Sequence, residues 1–208
     1  MNFSLLFLSA PAILFGLTIH EYAHGLIALK LGDPTAKYAG RLTLNPLKHL
    51  DPIGTLCLFL FRFGWAKPVP INPSYFHNPK RDILLSSLAG PGANFLVAIA
   101  FGIILRIINL TIPSSSFVIV ILQMFVFFNL ILAIFNLIPI PPLDGSKILY
   151  YLLPQSMAQS YMQIERYGMF ILMGIIVLGS VTNISIFGSF IFPIVKLLST
   201  VIVGQSII

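Results

Sequence analysis

FSLLFLSAPAILFGLTIHEYAHGLIAL, residues 3–29, is an apolar stretch in which His20, Glu21 and His24 are the only side chains able to carry charge near neutral pH. At 1.5 Å per residue, a helix of this length exceeds the ~30 Å hydrocarbon core of a bilayer. The three residues form an HExxH box. On a helix the two imidazoles project from one face, one turn apart, so they can hold one Zn²⁺ while the adjacent glutamate acts on a water molecule. Ionisable groups are costly in hydrocarbon, so a cluster of them at membrane depth marks a functional site. The stretch points to a helical membrane protein with zinc hydrolase chemistry inside the bilayer.

Composition supports the membrane reading independently. Of 208 residues, 57% are hydrophobic and 9% charged, and the mean hydropathy is +0.96; a soluble domain carries about 25% charged residues. The net charge of +6 comes from cations scattered through loops, with no basic helix or aromatic-basic motif, so nucleic acid is not an expected partner. No basic n-region precedes the first run, which is too long for a signal-peptide core and is expected to be retained. Cys57 is the lone cysteine, which excludes an intrachain disulfide and a cysteine-based zinc cluster. With no internal repeat or low-complexity linker, residues 1–208 read as one membrane-embedded domain. These features leave the oligomeric state unread.

Apolar runs at 3–29, 83–110, 116–138, 167–181 and 186–206 predict an α-helical polytopic membrane protein with about five transmembrane helices, the fourth run being short for a crossing. Eight of the 12 Lys and Arg residues lie between Lys30 and Arg81: Lys30, Lys37, Arg41, Lys48, Arg62, Lys67, Lys80 and Arg81. The positive-inside rule makes that segment cytoplasmic. The first helix then runs outside to inside, and alternating crossings put Lys147, Glu165 and Arg166 inside too. Arg106 and Lys196 are exceptions that can snorkel. With Lys30 at the interface, His24 lies about 9 Å and His20 about 15 Å below it. The expected protein sits in the cell membrane with its site accessible from the cytoplasmic side.

Segment 35–82 reads differently from the spans. Thr35 to Leu44 alternates small or apolar with polar residues, and Gly40 falls at a turn, predicting a short β-strand or hairpin with an available edge. Pro68, Pro70 and Pro73 exclude helix and central strand from the stretch after Gly64. Between them, Ile53 to Phe61 is too short to cross, and either re-enters or lies on the membrane surface.

Zinc needs a third protein ligand and an open position. Outside the box the candidates are Asp33, Asp51, Asp82, Asp144, Glu165, His49 and His77. Asp144 stands out because three prolines between Asn136 and Asp144 stop the preceding helix, leaving a carboxylate beside a broken helix end at the depth of His20 and His24. An N-cap or Asp-Gly turn is the alternative for Asp144, and an interhelical hydrogen bond the alternative for Asn136.

His20-Glu-Tyr-Ala-His-Gly25, Ala89-Gly-Pro-Gly-Ala-Asn94, and Asn136-Leu-Ile-Pro139 followed by Leu143-Asp-Gly145 resemble the site-2 protease family of intramembrane zinc metalloproteases. Residues 40–54 and 64–73 resemble its compact branch, and the chain has no room for the PDZ insert or CBS domains of larger members. The resemblance covers most of residues 15–150. It implies His20, His24 and Asp144 as ligands of one Zn²⁺ per chain, Glu21 as catalytic base, and Asn136 as a polar group near the reacting carbonyl. It also implies hydrolysis of peptide bonds in or near the transmembrane segments of a protein or peptide substrate held in the lipid bilayer. A substrate helix must be locally unwound first, and strand addition at residues 36–44 would hold it extended. The Gly90-Pro91-Gly92 break suggests close helix packing or a bend. Two other classes use the same buried residues: a non-proteolytic metal or proton transporter, and an inactive membrane assembly protein.

Overall fold

The computed structural model describes residues 3–61, 64–110, 116–182 and 186–207; Arg62 of the clustered cations lies outside them. The helices are α1 (Phe3–Lys30), α2 (Thr35–Tyr38), α3 (Pro52–Phe61), α4 (Pro79–Ile108), α5 (Phe117–Asn136), α6 (Asp144–Leu152), α7 (Gln155–Glu165), α8 (Gly168–Thr182) and α9 (Ile186–Val203). Local chemistry sets several of their ends. Gly32 takes a left-handed φ of 108° just after α1, where a side chain would be strained. The Asn78 side chain accepts from Arg81 N–H at the start of α4, with Pro79 as the first helical residue, the arrangement a helix N-terminus favours.

Among the described residues, α1 from Leu8, α4, α5 and α9 are long and apolar enough to cross a membrane, and α7 with α8, bent by 63°, makes a fifth if counted as one span. The protein is a multi-pass α-helical membrane protein. Its helices pack around Leu105, Ile119, Val126, Leu130, Val195 and Val203, all buried. Leu96, Ile103, Ile107, Leu197 and Val201 instead point outward from α4 and α9, as lipid-facing side chains do.

Packing fixes the helix directions. Gly102 of α4 sits against Ile202 and Val203, and Gly204 lies beside the Arg106 guanidinium, so α4 and α9 finish at the same end of the bundle. Phe187 at the start of α9 packs on Phe135 near the end of α5, with ring centroids 5.5 Å apart. A single crossing by α8 would start α9 at the opposite end. The segment α6–α8 therefore leaves from and returns to one end, and the last span runs opposite to the direction that strict alternation of five runs predicts. At 15 residues, α8 is about 22 Å long, short of the hydrocarbon thickness.

The strand or hairpin expected at 35–44 does not form. The Asp33 side chain accepts from Thr35 N–H at 2.9 Å and starts a helical turn. Gly40 at φ 64° ends it, with Gly40 N–H on Lys37 O and Arg41 N–H on Ala36 O, the paired bonds of a glycine-terminated helix. Ala36 is buried beneath Gly25, and this tertiary contact prevails over the alternation of the side chains. Among the described residues, β geometry is limited to one antiparallel bridge between Leu50 and Ala66. No sheet edge is present at 36–44 to receive a substrate.

Candidate active site

His20 and His24 lie on one face of α1, and Asp144 is the first residue of α6. Asp144 reaches them because Gly145 lets α6 start directly against the end of α5: a Cβ there would collide with the Leu137 and Ile138 carbonyls. Three atoms converge. His20 Nε2 and His24 Nε2 are 3.0 Å apart, and Asp144 Oδ2 is 3.1 Å from the first and 3.0 Å from the second. All three residues are buried, and among the described residues they form the group able to hold a metal ion.

The hydrogen bonds behind the rings show what the convergence is suited to. His20 Nδ1 faces Asn94 Oδ1 at 2.6 Å, and the Asn94 amide nitrogen donates to Gly16 O and Asn129 Oδ1. That bonding leaves Asn94 Oδ1 as an acceptor, so His20 carries its proton on Nδ1. His24 Nδ1 faces the Ser86 carbonyl at 2.7 Å, which can only accept. With Nδ1 as the donor, each imidazole turns Nε2 toward the carboxylate oxygen, where its neutral form offers a lone pair. Three such atoms about 3 Å apart need a proton or a metal ion among them, and two imidazoles with one carboxylate are a set that suits zinc. The residues fit the metal.

Gly90 makes room for this arrangement. A Cβ at position 90 would fall against His24 Nε2 and the His20 ring, whereas one at Gly92 meets nothing within 4 Å. The first glycine of Gly-Pro-Gly thus serves close approach of α4 to the imidazoles.

Glu21 is buried beside the cluster, and its Oε2 accepts from Val69 N–H at 2.8 Å. Asn136, at the end of α5, donates to Leu132 O at 2.9 Å and lines the same cavity as Glu21 and the three converging residues. That cavity measures about 1160 Å³ and is mainly apolar, with Trp65, Leu132, Phe135 and Tyr161 in its walls. It is large enough for an extended peptide segment. On the far side of the carboxylate, Lys147 Nζ lies 3.8 Å from Asp144 Oδ1.

The other candidates have different partners. His49 is buried and bonds Thr43 O; Asp33 ties Thr35 to Asn72; Asp51 accepts from Gly54 N–H; Asp82 pairs with Arg81. His77 is exposed, and Glu165 lines the cavity without joining the cluster.

Comparison with known proteins bears on this geometry. Residues 107–179 match the model of Peptidase family M50. The chain is 39% identical over 175 residues to a Bacillus subtilis (strain 168) protein named "Putative zinc metalloprotease YwhC", covering 81% of this chain and 80% of that protein. The chain belongs to peptidase family M50, the site-2 protease family. Proteins bearing the corresponding name with Rip2 are 28% identical in Mycolicibacterium smegmatis and 30% in Mycobacterium tuberculosis; each match covers 64% of this chain and 52% of the relative. The chain thus spans about half the length of the Rip2 proteins. No solved structure matches. As an M50 member the protein is a metalloprotease whose chemistry uses zinc, and it carries membrane helices.

Several residues that orient the side chains of this candidate site are not singled out by sequence. Asn94 stood within the quoted Gly-Pro-Gly motif without an assigned role, and Asn129 was unmarked, although an amide within the apolar run of α5 is a signal for an interhelical bond. The Ser86 carbonyl and the Val69 N–H are backbone groups that leave no mark in residue type.

Proposed function

We propose that the protein is an intramembrane zinc metallopeptidase of site-2 type that hydrolyses peptide bonds in or near transmembrane segments of membrane-protein substrates. On this reading residues 1–208 act as one membrane-embedded protease domain, and one Zn²⁺ per chain is held by His20, His24 and Asp144. The observation that carries it is the buried convergence of two imidazole Nε2 atoms and one carboxylate oxygen beside Glu21. When bound there, zinc supplies Lewis acidity toward water and the scissile carbonyl.

This chain's own groups do the rest. Glu21, oriented by Val69 N–H, takes the water proton and passes it to the leaving amine. Asn136 spends one amide hydrogen on Leu132 O, and its second is free to donate to the developing oxyanion. The apolar walls exclude bulk water and accept the side chains of an unwound substrate segment. The clustered cations between Lys30 and Arg81 support a cytoplasmic location for the site end of the bundle.

Incubation of the purified protein with single-span membrane proteins tests this reading. Cleavage within or next to the span should stop with a zinc chelator and return when zinc is restored. Cleavage insensitive to chelation, or none of any single-span substrate while the protein moves metal across liposomes, would overturn it in favour of a transporter.

A further inference from the structure

Arg41 follows the Gly40 turn and is buried, with 8% of its surface exposed. Its terminal nitrogens donate to the carbonyls of Lys67, at 2.6 Å, and Pro68, at 3.2 Å. The Pro68 carbonyl belongs to the peptide unit whose other end is the Val69 N–H, and that N–H donates to Glu21 Oε2 at 2.8 Å. Arginine, peptide and glutamate thus form one chain of hydrogen bonds. A cationic donor on the oxygen of an amide polarises the unit and strengthens its N–H as a donor.

The sequence around this peptide removes competitors. Pro68 and Pro70 carry no N–H, so Val69 supplies the sole backbone donor of residues 68–70. Upstream, Lys67 N–H is committed to His49 O at 2.8 Å, and downstream Asn72 N–H is held by Asp33 Oδ2 at 2.7 Å. The segment is pinned at both ends, and the Val69 N–H is the group that it turns onto the glutamate.

We propose that Arg41 is a positioning residue for Glu21, holding through the Pro68–Val69 peptide the backbone N–H that fixes the glutamate carboxylate. The inference rests on Glu21 as the base. Without the arginine the peptide can rotate, and the carboxylate spends less time in its productive pose. The loss falls on the chemical step, since Arg41 bonds the Lys67 and Pro68 carbonyls, not the three converging residues, and does not line the cavity.

The test uses the full-length protein in liposomes and a single-span substrate. Arg41→Lys places one ammonium where a fork met two carbonyls. Its kcat should fall about 10- to 100-fold, as a misplaced catalytic group costs, with KM within about 2-fold and zinc content unchanged. Glu21→Asp, shorter by one methylene, does not reach Val69, so in that background Arg41→Lys should cost less than about 3-fold. Equal losses in the two backgrounds, or a loss in KM or zinc instead of kcat, would overturn the proposal. Arg41→Lys carries this test even where Arg41→Ala does not fold. A Glu21→Gln variant that cleaves normally would sink the base assignment itself; an inactive Glu21→Gln beside a fully active Arg41→Lys would sink the arginine's role alone.

Discussion

Gly90→Ala adds one methyl group at the wall of the cluster. The added carbon would stand 2.7 Å from His20 Cε1 and Nε2 and closer still to His24 Nε2. Ordinary contact is about 3.5 Å, so the His20 ring must retreat by roughly 0.8 Å and the His24 ring by more, or α4 must move off α1. Metal sites tolerate about 0.2 Å in ligand distance, so the displacement exceeds what a bound ion accepts. Overpacking of this kind costs about 1–3 kcal/mol, which leaves a folded protein in most cases. The expected outcome is a folded variant whose zinc affinity falls by at least about 10-fold, in the range that misoriented ligands lose. Zinc competition against a chromophoric chelator, with thermal unfolding in detergent as the folding control, measures it. Gly92→Ala, whose new carbon meets nothing within 4 Å, should match wild type in both assays. Wild-type zinc affinity in Gly90→Ala, or equal damage from the two alanines, would refute the close-approach argument.

Three further outcomes follow from the same geometry. Asn94→Leu removes the acceptor for His20 Nδ1–H and should lower zinc affinity about 10- to 100-fold by competition titration; unchanged affinity would show that the asparagine network does not orient the ring. Asp144→Ala should release most of the zinc in metal analysis while His49→Ala retains it, and the reverse pattern would reassign the third ligand. A reporter at Asn78 should be cytoplasmic and one at Gln205 on the opposite side, because α9 runs parallel to α4; the same side for both would contradict the packing of Gly102 on Ile202 and Val203.

The membrane architecture and the converging trio were legible because each rests on strong local patterns: long apolar runs, two histidines four apart on a helix, and a proline-stopped helix ahead of an aspartate. Asp144 was recognisable as a candidate through composition, since so few carboxylates and histidines exist in the chain. Its meeting with His20 and His24 across more than 110 residues was an expectation from resemblance, which the fold realises through the close approach of Gly145 to Leu137. The short strand at 35–44 failed for the opposite reason: ten alternating residues are weak evidence when Asp33 starts a helical turn, Gly40 stops it and Ala36 is buried under Gly25. The direction of α9 was illegible because hydropathy counts runs but does not say which neighbours they pack on. Arg41, Asn129 and Val69 act through contacts 26 to 48 residues away in sequence, and local pattern holds no trace of those distances.

Substitution of Glu21 by Gln tests the proposed chemistry most directly, because it keeps the size of the side chain and removes the proton acceptor. Zinc content and cleavage of a single-span substrate should be measured on the same purified sample. The account predicts wild-type zinc content with cleavage reduced at least 10²- to 10⁴-fold, roughly the contribution of general acid–base catalysis. Cleavage near the wild-type rate with zinc still bound would contradict it.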